Sequence, residues 1–285
     1  MAHADAAPMP ADAGPDPDAA APLDAAGPDA APLPPLGGPD RPALVFVPAG
    51  EPPAAGWPLL FLLHGFRANP ELMHRQFPFG EHVDDHGWIV VLPHGARDES
   101  GSPYWQAHER VDGVGDDVPY LLDLAGQVAA RYPTDLGHFY VAGHSNGGAM
   151  AQSIACYAAD RIRGFINISG VNITPERCTP SRPVTALHIS GTLDDSVAYE
   201  GSPTSPGVDA SATWWAETVL ACTDAAEVDA ADLTLQAPGA ETAIRRWSGC
   251  APGTHAERWR MDGVRHAIIV QPAFLDAAHA ALVAE

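Results

Sequence analysis

Apolar residues in this chain gather in short unbroken runs, set apart by stretches in which they recur at helical spacing. Residues 57–63 (Trp-Pro-Leu-Leu-Phe-Leu-Leu), 87–92, 164–168 and 184–189 are such runs. A run of that length without alternation predicts a strand covered on both faces. Residues 41–47 predict a further strand at the start, Tyr140-Val141-Ala142 the centre of another, and residues 258–261 a last one. Between them, Leu121, Leu122, Leu124, Val128 and Ala129 fall near helical spacing. That predicts a helix from Asp116 or Asp117 to about Tyr132, stopped by Pro133. Residues 70–86 read as a partial helix broken by Pro78, and residues 146–159, 210–220 and 271–283 as helices. Residues 96–111 read as loop and the stretch between 221 and 257 as irregular and polar. No internal repeat is visible. Strands and helices that alternate in this way predict an α/β fold with a mostly parallel sheet and functional groups at the carboxyl ends of its strands.

The sharpest local feature is Gly143-His144-Ser145-Asn146-Gly147, where an apolar run meets the small residues that open a helix. It fits G-x-S-x-G, a strand-turn-helix elbow whose glycines let the two elements approach while the turn presents Ser145 outward. Such a turn puts the Asn146 N–H and the positive helix end beside the serine, where a tetrahedral oxyanion would form. An ordinary glycine-rich turn is the competing reading of the five residues alone.

A serine hydroxyl needs a base within hydrogen-bond reach and an acid to orient that base, and in this setting they follow in the order Ser, Asp/Glu, His. Gly191-Thr192-Leu193-Asp194-Asp195 comes directly after the strand ending at Ile189, so Asp194 is the expected acid, with Asp195 in reserve. His266 lies past the last predicted strand and before the final helix, which makes it the expected base ahead of His188, His255 and His279. His188 sits inside a buried strand and reads as a core histidine. The turn after Leu63 would supply a second oxyanion donor, the Phe66 N–H, partnered by Asn146; His64 reads as support for that loop. His82 and His86 are four apart but lack the glutamate of H-E-x-x-H, so they read as a surface pair. Nothing here calls for a metal or a cofactor.

Composition narrows the partners. The formal charge is −21 and all 15 basic residues are arginine, which argues against nucleic acid or an anionic membrane surface. No stretch approaches the run of about 18 apolar residues that spans a bilayer. Residues 1–40 carry seven Asp, much Ala and Pro, and no Lys or Arg, so they read as a disordered tail or linker ahead of one domain over 41–285. Ala2-His3-Ala4 resembles the end of a removed signal peptide. The four cysteines, Cys156, Cys178, Cys222 and Cys250, permit three pairings that sequence alone does not separate. Bridges would place the protein outside the cytosol.

Taken together, Leu63-His64-Gly65, the Tyr140–Met150 segment, Gly191-Thr192-Leu193-Asp194 with Val197-Ala198-Tyr199, and Gly263 with His266 resemble the polyhydroxybutyrate depolymerase and feruloyl/acetylxylan esterase group of α/β-hydrolases. The resemblance covers about residues 41–285. It implies an α/β-hydrolase fold, a triad of Ser145, Asp194 and His266, and carboxylic-ester hydrolysis through an acyl-serine. The short spacing between Ser145 and Asp194 leaves no room for a large lid. Trp105 matches an aromatic position of that group and reads either as a residue that lines the substrate site, with His144, or as a buried loop anchor. The resemblance favours a Cys222–Cys250 disulfide, leaving Cys156 and Cys178 either as a second bridge or as a pair of buried free thiols. The group often has Cys where this chain has Phe66, and Trp-Pro shortly after the histidine where it has Ala267-Ile268-Ile269; both departures touch pocket walls. The expected protein is a secreted or envelope-tethered esterase, a monomer, acting on an ester substrate that is a polyester or a plant-wall ester. A serine peptidase of the same fold is the alternative, and an inactive binding module a more distant one.

Overall fold

The computed structural model describes residues 34–107, 117–228 and 230–284. Nine strands among them form one sheet: β1 (Ala43–Phe46), β2 (Trp57–Leu63), β3 (Ile89–Pro93), β4 (Thr134–His144), β5 (Gly164–Ile168), β6 (Thr185–Gly191), β7 (Asp224–Glu227), β8 (Thr242–Ser248) and β9 (Ala256–Met261). Their order across the sheet is β1-β3-β2-β4-β5-β6-β9-β8-β7. The strands from β3 to β9 in that order run parallel. The edges β1, β8 and β7 are antiparallel.

Five main helices cover the sheet: α1 (Pro70–Gln76), α2 (Asp117–Arg131), α3 (Asn146–Tyr157), α4 (Val208–Thr213), which widens into a π-helical segment over Trp214–Val219, and α5 (Pro272–Val283). α1 starts where Asn69 accepts a hydrogen bond from the Leu72 amide and Pro70 fills the first turn. The chain leaves the helix at Phe77, before Pro78. On β2, Leu59, Phe61 and Leu63 enter a core with Val141, Phe165, Leu121, Leu124, Met150 and Ile154. Leu60 and Leu62 point the other way, into a second core with Ile166, Met73, Phe77, Phe274 and Leu275. The unbroken run therefore feeds two cores, since successive side chains of a strand face opposite sides.

Three features differ from the sequence reading. The stretch expected to be irregular between 221 and 257 carries β7 and β8. In β8, Ile244 packs into one core and Trp247 into the other, with Arg245 and Arg246 between, so neither a run nor an alternation announces the strand. Residues 96–104, expected as loop, hold a short ladder that pairs Ala96 with Tyr104 and Arg97 with Pro103. The expected tail, residues 1–40, lies outside the described residues as far as 33, as does Asp116. Beyond that point Leu36 is buried at 5% exposure, its carbonyl accepts from the Ala43 amide at 2.9 Å, and the Gly37 amide donates to Gln127 of α2.

Both cysteine pairs, Cys156–Cys178 and Cys222–Cys250, are disulfide-bonded. No helix among the described residues is long and apolar enough to cross a membrane. The parallel strands bring the turns after β2, β4, β6 and β9 to one edge of the sheet, and the candidate residues lie there.

Candidate active site

Ser145 joins β4 to α3 in a left-handed conformation, φ 56°. A non-glycine residue there is strained, and the strain persists because its neighbours fix it. The Ser145 amide donates to the Ile168 carbonyl at 2.8 Å. A Cβ on Gly147 would lie 2.2 Å from the Leu63 carbonyl oxygen, and one on Gly143 equally close to the Gly147 oxygen. Only glycine lets helix and strands meet so closely, and that contact turns the serine side chain outward.

The side chains expected to act together are in contact. The His266 Nε2 is 2.9 Å from Ser145 Oγ, and its Nδ1 is 2.8 and 3.0 Å from the two Asp194 oxygens. With Nδ1–H donating to the carboxylate, Nε2 is left to accept from the serine hydroxyl. Asp194 Oδ1 also accepts from the Ser196 and Val197 amides at 2.9 and 2.8 Å. Burial works against the charged carboxylate, but the bonds from His266, Val197 and Ser196 outweigh it and hold its pKa below the usual value. The neighbouring Asp195 faces away, with Arg265 at 3.4 Å and both side chains about two-thirds exposed.

The amides of Phe66 and Asn146 sit in the turns after β2 and β4, and neither is engaged by a backbone carbonyl among the described residues. A cleft of about 690 Å³ opens from Ser145, His266 and His144, walled by Phe66, Leu72, Ile268, Ile269 and Leu275, with Arg75 and Gln76 at one side. Phe66, Leu72 and Ile269 are about half exposed, so the cleft presents apolar surface to solvent.

Two candidate substrate contacts fall differently. His144 borders the cleft, but its Nε2–H donates to the His266 carbonyl at 2.8 Å, and burial pushes its pKa down to about 4; it is a neutral brace for the histidine loop. Trp105 is 1% exposed and does not line the cleft, because its indole lies beneath the turn after β2, with Nε1–H donating to the His64 carbonyl at 2.9 Å. His64 is likewise internal: its Nε2 accepts from the Gly95 amide and its Nδ1–H donates to the Gly65 carbonyl, and burial lowers its pKa to about 4. His188 is a core residue at 1% exposure, bonded to Ser211. His86 stacks on His279 at 4.2 Å and on His82 at 5.7 Å. The sequence reading missed the Ser196 and Val197 amides and the side chain of Asn146; an aspartate two and three residues before free amides is a turn signal that could have found the first pair.

No family model matches the chain. It is 28% identical over 143 residues to a bifunctional acetylxylan esterase/xylanase of Neocallimastix patriciarum, covering 50% of this chain and 20% of that protein. It is 28% identical over 119 residues to feruloyl esterase B of Piromyces equi, covering 40% and 22%. The chain thus spans about a fifth of the length of these relatives. Among solved structures it is similar to the acetyl xylan esterase from Aspergillus awamori, with a TM-score of 0.59 and 14% identity over 84% of this chain and 93% of that one. Esterase PE8 gives a TM-score of 0.53 and 18% identity over 84% and 95%. These likenesses show the α/β-hydrolase fold. The relatives bear the names that the sequence resemblance implies.

Proposed function

We propose that the chain is a serine esterase in which Ser145 is the nucleophile, His266 the general base and acid, and Asp194 the group that orients it. The observation that carries the reading is the continuous hydrogen-bonded line from Ser145 Oγ through His266 to Asp194, at 2.9 and 2.8 Å. It starts on a serine held in a strained turn.

In the reaction, Ser145 Oγ attacks the ester carbonyl carbon as its proton passes to His266 Nε2. The carbonyl oxygen becomes an oxyanion that accepts from the Phe66 and Asn146 amides, with the positive end of α3 adding to the favourable potential. Asp194 keeps its charge and stabilises the imidazolium through Nδ1–H. The tetrahedral carbon expels the alcohol, which takes the proton from His266, leaving an acyl-serine. Water then gives a proton to His266, adds to the acyl carbon, and the carboxylic acid leaves as Ser145 recovers its hydrogen.

The substrates are carboxylic esters: acetyl or feruloyl esters of plant polysaccharide, as the relatives' names suggest, or polyesters of the polyhydroxyalkanoate or synthetic type. The apolar, open cleft suits one end of a large ester. Two disulfides support a secreted or envelope-tethered protein.

The test is labelling with a fluorophosphonate probe together with turnover of short-chain aryl esters, feruloyl esters, polyester films and peptide anilides. The wild type should be labelled at Ser145 and hydrolyse esters well ahead of anilides. Ser145→Ala should lose labelling and about 10⁴-fold or more of the activity while keeping its circular dichroism. An active, folded Ser145→Ala protein ends the assignment, and anilide turnover exceeding ester turnover makes the protein a peptidase.

A further inference from the structure

The two amides assigned to the oxyanion come from different strands, Phe66 after β2 and Asn146 after β4, and beside the direct contact of Leu63 with Gly147 a third segment is hydrogen-bonded to both turns. Pro103 and Trp105 grip the β2 turn on either side of Phe66: the Pro103 carbonyl accepts from the Arg67 amide at 2.8 Å, and the Trp105 indole N–H donates to the His64 carbonyl at 2.9 Å. The same Trp105 takes hold of the β4 turn through its main chain. Its amide donates to Asn146 Oδ1 at 2.6 Å and its carbonyl accepts from Asn146 Nδ2 at 2.9 Å. An asparagine side chain paired in this two-bond manner reproduces a peptide-to-peptide contact and leaves the Asn146 backbone N–H free to point elsewhere.

The segment is itself anchored. The Gln106 amide donates to Asp117 Oδ2 at 2.7 Å. Asp117, 1% exposed, pairs with Arg41 at 2.7 Å, and the Arg41 guanidinium lies 3.6 Å over the Tyr120 ring. Arg41 Nε then donates to the His94 carbonyl, and the next residue's amide, Gly95, donates to His64 Nε2 at 2.9 Å. The bonds return to the residue that Trp105 holds. A Cβ on Gly95 would lie 2.3 Å from the Tyr104 carbonyl oxygen, so the two short strands of this ladder are in close contact as well.

We infer that Trp105 is a positioning residue that sets the spacing between the two oxyanion amides, with the Asn146 side chain as its second point of attachment. The inference rests on the esterase reading and adds to it a means by which turns from two different strands present donors to one atom. A donor held within a few tenths of an ångström is effective only where the oxyanion forms, so a loosened turn weakens the transition state more than it weakens substrate binding.

The experiment compares wild type, Trp105→Phe, which keeps an aromatic ring and removes the indole N–H, and Asn146→Ala, which removes both side-chain bonds and keeps the backbone amide. Each is assayed for kcat and KM on an aryl acetate and for inhibition by an aryl trifluoromethyl ketone. That ketone adds Ser145 Oγ to its carbonyl carbon, passes the serine proton to His266 and places an oxyanion in the proposed site. Both variants should lose about 10- to 100-fold in kcat with KM changed less than about threefold, and their affinity for the ketone should fall in parallel with kcat/KM. Melting temperature is recorded alongside. If Trp105→Phe does not fold, Asn146→Ala decides by the same two readouts.

Unchanged kcat in a folded variant, or a loss confined to KM with ketone affinity intact, overturns the positioning role. If the wild type itself neither turns over esters nor reacts with the fluorophosphonate, the esterase reading has failed. An active wild type matched by its variants leaves that reading standing and removes only this inference.

Discussion

Replacing Asp194 by Asn tests the chemistry most directly, because the surroundings dictate how the new amide must sit. Asp194 Oδ1 accepts from the Ser196 and Val197 backbone amides, which donate only. An asparagine therefore keeps its oxygen at that position and places its NH₂ where Oδ2 faces His266 Nδ1 at 2.8 Å. Two donors cannot meet there, so the ring proton moves to Nε2 and Nδ1 becomes the acceptor. Nε2–H then confronts Ser145 Oγ at 2.9 Å, and the base can no longer take the serine proton. The expected loss is about 10⁴-fold in kcat near neutral pH, or about 5.5 kcal/mol of barrier. Asp195→Asn removes only a partner of Arg265 at 3.4 Å, with both side chains about two-thirds exposed, and exposed pairs contribute about 0–1 kcal/mol. Its activity should stay within about fivefold. Initial rates on an aryl acetate near neutral pH, with circular dichroism to certify folding, read both. A folded Asp194→Asn protein within tenfold of wild type refutes the tautomer argument, and a crippled Asp195→Asn moves the acid by one residue.

Three further outcomes concern stability. His64 and His144 are held near pKa 4 and His188 near 3 by burial, against about 6.5 in the unfolded chain. Between those values the unfolded state binds protons that the folded state refuses, so stability is full above about pH 6.5 and falls as pH drops; one such histidine costs about 2 kcal/mol by pH 5. Melting temperatures that stay flat from pH 7 to 5 would contradict this, whereas the Asp194 contribution should persist until pH falls below the ordinary carboxylate range. Reducing Cys222–Cys250, which closes a loop with a sequence separation of 28, should cost about 3.6 kcal/mol on chain-entropy grounds, seen as a lower melting temperature in the Cys222→Ala/Cys250→Ala double variant. Relative to a chain shortened by residues 1–33, one shortened by residues 1–38 should be less stable by about 2 kcal/mol because it also lacks buried Leu36 and the bond its carbonyl accepts; equal melting of the two truncations would count against that docking.

The parts of the fold that were legible are those whose physics is local. β2, β3, β5 and β6 announce themselves because a strand covered on both faces is apolar at every position. Ser145, Asp194 and His266 could be singled out as candidates because each lies a few residues past the carboxyl end of a strand, in the chain order that goes with a G-x-S-x-G elbow. β8 escaped because Ile244 and Trp247 serve opposite cores around two arginines. For Trp105 the sequence leaves a substrate contact and a buried loop anchor equally open, because it shows an aromatic residue without showing which way its indole faces; its partners His64 and Asn146 are each 41 positions away. Leu36 was read into the tail because one apolar residue among Pro and Gly has no period to reveal it.

The double-faced burial of β2 also bears on how the sheet finds its alignment. In a strand with one wet face, sliding by one residue exposes the whole apolar set, and that penalty locks the pairing. Sliding β2 would merely exchange Leu59, Phe61 and Leu63 with Leu60 and Leu62 between two oily layers, at little cost in burial. Alignment must then be enforced at the strand's end, where the Leu63 carbonyl fits against the bare Cα of Gly147. A displaced chain would press a different peptide there and lose the fit. The elbow glycine is thus a ratchet tooth for assembly as well as the seat of the serine, and a larger residue at 147 should yield misaligned sheets before it yields a merely slower catalyst.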